Sequence, residues 1–308
     1  MPFAISGVYA AIATPFNRDL TPDIGALAAH GRWLLSEGCD GLAPLGTTGE
    51  AMSLSVAERQ NLLRDLLAAG IPPGKILLGT GAAAVADTIA LTEHALDHGV
   101  TQTLTLPPFY YKTATVDGLF TAYSSIINTL NDPRLRMVLY HIPHISGVAI
   151  PHDLIARLTA EFPDTVIGIK DSSGDWDNLA TMVDRFPGFA VMTGADPLVR
   201  RLLGIGGAGC ITGGANVLPA SLAKVYAAHA DTTLETELDP EMDAALTQEM
   251  ARIEALRSLT LSLPQFPALK TMIAEISGSE SFCRLRPPLM PVNAGEKQAA
   301  LEGLRRIL

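Results

Sequence analysis

Short apolar runs alternate with longer amphipathic stretches from residue 7 to residue 228, and no other feature constrains the fold as much. The strand-like runs are 7–16, 41–45, 76–80, 103–106, 137–142, 166–170, 190–193 and 209–212. The stretches 24–37, 55–69, 87–98, 116–129, 152–162, 178–186, 198–203 and 221–228 carry helical spacing instead. Ser55 followed by Glu58 reads as a capping box, and Asp87 as the N-cap of its helix. The strands are near-continuous apolar runs, as a sheet covered on both faces requires. Alternating βα units imply a parallel sheet coated by helices. Eight of them in about 225 residues predict closure into an α/β (β/α)8 TIM barrel over residues 1–230. An open doubly wound sheet is the alternative architecture. Residues 231–308 read differently, with helical patterns at 241–261, 266–276 and 295–307, punctuated by Pro264, Pro267, Pro287, Pro288 and Pro291. They predict a C-terminal helical extension packed on the barrel.

Composition narrows the partners. With 308 residues and 48% hydrophobic content, the chain can bury one large core. A net charge of −10 and a pI near 5.1 argue against nucleic acid or an anionic membrane surface as partner. An anionic substrate is still compatible, because a pocket can be locally positive. The three cysteines, Cys39, Cys210 and Cys283, are too few and too scattered for a disulfide framework or a zinc site. The N-terminus has no basic n-region, and no apolar run approaches the ~18 residues of a membrane span. A cytoplasmic location is expected.

Barrel enzymes carry their chemistry at the C-terminal ends of the strands. Lys170 ends the apolar run Val166-Ile167-Gly168-Ile169-Lys170. Desolvation at such a position favours a neutral amine, a nucleophile that forms a Schiff base with a ketone. A strand-end lysine that snorkels to water is the bland reading. Other polar residues converge on the same mouth: Gly46-Thr47-Thr48-Gly49-Glu50 after the second strand, Tyr110 after the fourth, Tyr140 on the fifth, and Gly194 and Asp196 after the seventh. The iminium formed with a 2-oxo acid is an electron sink, and the derived enamine attacks an aldehyde. Tyr140 is the proton shuttle, with Thr48 and Tyr110 as relay partners. Thr47 and the backbone N–H groups around Gly46 are placed to hold the oxo-acid carboxylate. Gly194, Asp196, Ile211 and His144 complete the expected substrate-binding set, and His144 is expected to face the aldehyde.

At these residues the chain resembles the N-acetylneuraminate lyase / dihydrodipicolinate synthase superfamily of pyruvate-dependent class I aldolases. The motifs are Gly46-Thr47-Thr48-Gly49-Glu50, Tyr140-x-Ile142-Pro143, and Gly168-Ile169-Lys170 followed by Ser173-Gly174, within a match over roughly residues 5 to 300. The resemblance implies Lys170 as Schiff-base lysine, Tyr140 as acid/base, and Thr47 and Thr48 beside the pyruvate carboxylate. It implies that Tyr110 is lent to a neighbouring subunit within a homotetramer, a dimer of dimers, and that no metal or organic cofactor is used. Dihydrodipicolinate synthases usually carry an arginine shortly after the Tyr-x-x-Pro turn, where this chain has His144-Ile145-Ser146-Gly147. Ile145-Ser146-Gly147-Val148 looks more like sialic acid lyases, but Thr47 and Asp196-Pro197 depart from that pattern. The expected reaction joins or splits pyruvate and an aldehyde, with a 2-keto-3-deoxy sugar acid as candidate. The alternatives are 4-hydroxy-tetrahydrodipicolinate synthase and a non-catalytic barrel that binds a 2-oxo acid.

Two motifs point elsewhere. Gly204-Ile205-Gly206-Gly207-Ala208-Gly209 matches the dinucleotide fingerprint, but it follows a helix and leads into a strand, the reverse of what the fingerprint requires. It reads as a tight turn. His141 and His144 are three apart across Pro143, which does not put them on one helix face, so they read as partly exposed loop histidines rather than metal ligands.

Overall fold

A computed structural model describes residues 3–230 and 240–308. The boundary expected between 230 and 231 lies at the edge of 231–239, outside the described residues. The chain runs β1 (Gly7–Ala10), α1 (Ile24–Ser36), β2 (Gly41–Leu42), α2 (Val56–Ala68), β3 (Leu77–Gly79), α3 (Val85–Asp97), β4 (Gln102–Thr105) and α4 (Val116–Leu130). It continues with β5 (Arg136–His141), a one-turn α5 (Pro143–Ser146), α6 (His152–Glu161), β6 (Val166–Asp171), α7 (Trp176–Arg185), β7 (Ala190–Thr193), α8 (Val199–Leu203), β8 (Gly209–Thr212) and α9 (Pro219–Ala230). Helices α10 (Pro240–Leu261), α11 (Gln265–Ser277) and α12 (Ala294–Ile307) follow.

All eight strands are parallel, in the order β2-β1-β8-β7-β6-β5-β4-β3. A single parallel bridge between Leu42 and Ile76 joins the two ends, so the sheet is a nearly closed barrel rather than an open one. Apolar side chains fill its interior, among them Tyr9, Leu77, Leu104, Val138, Met192 and Ile211. A separate cluster, including Met137, Leu139, Ile169 and Val191, packs the outer face of the sheet under the helices.

One irregularity aims the site. The β5–β6 register jumps between Met137 and Val138, pairing Met137 with Val166 but Val138 with Gly168. An extra residue in one strand shifts every later side chain to the opposite face. Ile167 therefore packs inside the barrel while Ile169, of the same parity, packs outside it. Beyond the shift, Lys170 pairs with Tyr140, and both face inward.

The extension belongs to the same core. Leu246, Met250, Ile253 and Leu256 of α10 and Leu269, Met272 and Ile273 of α11 join the cluster that includes Leu27 and Leu34 of α1. Helix α10 lies against the short turns that follow β7 (Asp196–Leu198) and β8 (Gly214–Asn216). The capping box of α2 forms as expected, with Ser55 accepting from the Glu58 N–H and Glu58 from the Ser55 N–H. The Asp87 cap does not form. Helix α3 starts earlier, with Ala84 at the N-cap and Asp87 in the first turn, because Val85 and Ile89 both pack on the outer cluster. The first two strands are shorter than their apolar runs. After Leu42 the chain turns at Leu45, whose φ is 58°.

Candidate active site

Strand β6 delivers Lys170 into the barrel mouth with 5% of its surface exposed. Its Nζ lies 4.3 Å from the centroid of the Tyr140 ring on the neighbouring strand. Among the described residues no carboxylate pairs with it. Beyond Lys170, Asp171 fixes the turn, its carboxylate accepting from Ser173 N and Asn178 Nδ2, each at 2.7 Å. The Tyr140 hydroxyl lies 3.1 Å from Thr47 Oγ1. Lys170, Tyr140, Thr47, Thr48, Gly194, Asp196 and His144 line one cavity of about 70 Å3. At Gly194 a Cβ would stand 2.0 Å from Ser172 Oγ and 3.0 Å from Lys170 Cε, so a side chain there would close the floor beside the lysine.

Asp196 is 5% exposed and accepts from Thr212 Oγ1. Burial pushes its carboxyl above the ordinary range, opposed by the Thr212 hydroxyl and by the positive charges of Arg257 and Lys170. A second cavity of about 350 Å3 adjoins the first across Thr47, Tyr140 and Ile142. Its walls are mainly apolar, including Leu104, Leu106, Phe109 and Leu289, with Gly46 at its edge.

Some expected residues sit elsewhere. Thr47, not Thr48, holds the Tyr140 hydroxyl. Tyr110 is 72% exposed, packs edge-to-face on Tyr111 at 5.2 Å, and lines neither cavity, so within one chain it does not relay a proton from Tyr140. Ile211 is wholly buried in the barrel interior beneath the site and lines neither cavity. His141 is not a loop histidine. It ends β5, is buried, and accepts from the Ile150 N–H at 3.0 Å through Nδ1. Burial lowers its pKa. Among the described residues no three His, Cys, Asp or Glu side chains come together as a metal ion requires. The glycine run at 204–209 is the turn between α8 and β8, where Gly209 has φ 135° and a Cβ would meet Gly7 O at 2.0 Å.

A second buried lysine shows what a structural role looks like. Lys270 of α11 is fully buried, and its Nζ lies 2.5 Å from both Glu50 Oε1 and Arg284 O. Glu50 sits in the left-handed region at φ 55°, and its other oxygen accepts from Arg286 N at 3.1 Å. The glutamate of the Gly46–Glu50 turn therefore ties the loop after β2 to the extension. Sequence reasoning also missed Arg257, Thr260, Gln265 and Phe266, which bring α10 and the start of α11 to the cavity wall. Nothing local marks them, because only the packing of the extension puts them there.

A barrel with a buried, unpaired lysine at the end of β6, facing a small polar cavity, is the architecture of a Schiff-base aldolase. The sequence profile of the dihydrodipicolinate synthetase family matches residues 4–306. The chain belongs to that family, and it is a carbon–carbon lyase of the class I aldolase type. An uncharacterized DapA-like lyase of Chloroflexus aurantiacus is 35% identical over 303 residues, 98% of this chain and 97% of its own. Dihydrodipicolinate synthase from Agrobacterium tumefaciens superposes with a TM-score of 0.88 at 31% identity, covering 98% of this chain and 99% of that one. YagE from E. coli K12, a prophage protein of the dihydrodipicolinic acid synthase family solved in complex with pyruvate, superposes with a TM-score of 0.88 at 23% identity over 99% of each chain. No helix among the described residues is long and apolar enough to cross a membrane.

Proposed function

We propose that Lys170 forms a Schiff base with pyruvate and that the enzyme makes or breaks a carbon–carbon bond between pyruvate and an aldehyde, with a 2-keto-3-deoxy sugar acid as the joined species. The observation that carries this reading is Lys170 itself: buried, unpaired among the described residues, and open to a cavity it shares with Tyr140 and Thr48. Lys270, saturated by Glu50 and Arg284 O, has no such freedom.

The Lys170 amine adds to the pyruvate C2 carbonyl and water leaves, giving an iminium. The iminium withdraws electrons from C3, which loses a proton to become an enamine carbon. That carbon attacks the aldehyde, and the new alkoxide takes a proton. Cleavage runs the same steps backwards, and hydrolysis of the iminium returns the free amine. Tyr140 is the proton carrier, since its ring lies 4.3 Å from Lys170 Nζ and its hydroxyl has Thr47 Oγ1 as partner. Backbone N–H groups at 46–48 and the Thr48 hydroxyl hold the pyruvate carboxylate. No step calls on a metal or organic cofactor. His144 and Asp196 face the second substrate. The working unit is a homotetramer, a dimer of dimers, in which Tyr110 reaches a neighbouring site. Residues 231–308 act as part of the same catalytic domain.

Ile145 lines both cavities and cannot pair with a carboxylate, which weighs against 4-hydroxy-tetrahydrodipicolinate synthase activity by the route an arginine there would provide. The test is pyruvate release from a panel of 2-keto-3-deoxy acids, set against condensation of pyruvate with aspartate semialdehyde. Release from the deoxy acids supports the reading. Condensation alone would replace it with the synthase.

A further inference from the structure

We propose that Arg257 recognises a terminal carboxylate on the second substrate, so that the aldehyde is itself an acid; this rests on Lys170 as the Schiff-base residue. Leu256, Arg257 and Thr260 lie on one face of α10, which the packing of that helix on the turns after β7 and β8 turns toward the barrel mouth. Arg257 is half-buried and lines the Lys170 cavity. Among the described residues its guanidinium forms no ion pair and no side-chain hydrogen bond. Other arginines of the extension are committed: Arg252 donates to Ile307 O at 2.8 Å, and Arg286 to Glu58 Oε1 at 2.6 Å.

A guanidinium presents a planar fork of N–H donors that matches a carboxylate in two parallel bonds. A half-buried guanidinium with no protein partner offers that fork to an anion in the cavity. The nearby carboxylate does not fill that role. Asp196 takes its hydrogen bond from Thr212 and feels Arg257 only as a charge at longer range. With Lys170 committed to the oxo acid as the iminium, Arg257 is the permanently charged side chain left on this wall to pair with a second carboxylate, among the described residues. Thr260 and Gln265 lie beside it to accept or donate to hydroxyls along the tail. The adjoining apolar cavity offers the opposite chemistry, and an uncharged tail would go there.

Borohydride trapping separates the two. Native enzyme, Arg257→Gln and Arg257→Lys are each titrated with pyruvate, 2-oxohexanoate and 2-oxoadipate, and the half-saturating concentration for adduct formation on Lys170 is read by mass. The last two acids have equal length and differ in the terminal carboxylate. The native enzyme is expected to trap 2-oxoadipate at a concentration at least about tenfold below 2-oxohexanoate, as a charge-assisted pair implies. Arg257→Gln should abolish that preference, Arg257→Lys should keep part of it, and pyruvate should be trapped equally by all three. Trapping of both six-carbon acids with no preference, or a preference that survives Arg257→Gln, overturns the assignment of Arg257. No trapping of any acid by the native enzyme overturns the Schiff-base reading first, and this inference with it.

Discussion

Lys170 and Lys270 are both buried lysines, and their surroundings set their expected behaviour apart. Removing Lys170 strands no partner, so Lys170→Ala should abolish turnover and pyruvate trapping while leaving thermal unfolding nearly unchanged. A large drop in Tm would instead mark Lys170 as structural. Tyr140→Phe keeps the ring beneath Lys170 but removes the hydroxyl that Thr47 holds. It should still form the trapped adduct while turnover falls by about 10²-fold or more, the usual contribution of a positioned acid or base. Unchanged turnover would remove Tyr140 from the proton path. Lys170 was legible in the sequence because a lysine closing an apolar run stands out against its neighbours. Arg257 was not. Its role depends on the packing of a helix nearly ninety residues away in the chain, and an arginine on an amphipathic helix looks like any solvated one. The hydroxyl that meets Tyr140 was hidden for a related reason, since the choice between Thr47 and Thr48 is decided by a turn flanked by the left-handed residues Leu45 and Glu50.

At the scale of elements, the parallel order was legible because each unit repeats the same apolar–amphipathic alternation. The β5–β6 register shift was not, since Ile167 and Ile169 read identically in sequence and separate only when the strands pair. The ion pair between the β2 loop and α11 was hidden for want of any sequence signal linking Glu50 to Lys270. Breaking it on one side leaves a buried charge, so Glu50→Gln should lower the unfolding free energy by about 3–5 kcal/mol in denaturant titration. Replacing both partners, as Glu50→Leu with Lys270→Met, should cost clearly less than the single change. Equal or additive losses would count against the buried pair as the cause.

Helix α1 carries a titration of its own. His30 is 3% exposed, lies between the Trp33 and Phe282 rings, and hydrogen-bonds Asn216 Oδ1 at 3.2 Å. Asn216 in turn donates to Ala11 O at 2.8 Å, where β1 meets β8. Burial pushes the His30 pKa down from 6.5 to about 4. In the unfolded chain the imidazole takes up its proton as the pH falls through 6.5, while in the fold it stays neutral until near 4. Its contribution is thus complete above pH 6.5 and is lost between there and about 4, by ~1.4 kcal/mol per pH unit. His30→Gln should flatten that acid limb in denaturant titrations at stepped pH, and an unchanged slope would assign it to other groups.

For the whole molecule, the barrel and its extension share one core, and the cavity wall is drawn from both. The exposed Tyr110–Tyr111 pair lies outside the chain's own site, so the proposed tetramer makes a distinct prediction. Mixing inactive Lys170→Ala subunits with impaired Tyr110→Phe subunits should recover part of the activity, because some sites then combine a native lysine with a native tyrosine. Activity no greater than that of Tyr110→Phe alone would confine each site to one chain. The proposed function rests on one bond, between Lys170 and an oxo acid. The most direct test is to reduce the enzyme with borohydride in the presence of pyruvate and map the adduct by peptide mass. The account predicts one reduced pyruvate on Lys170 and none on Lys270. A folded enzyme that takes up no pyruvate, or takes it up at another lysine, would contradict it.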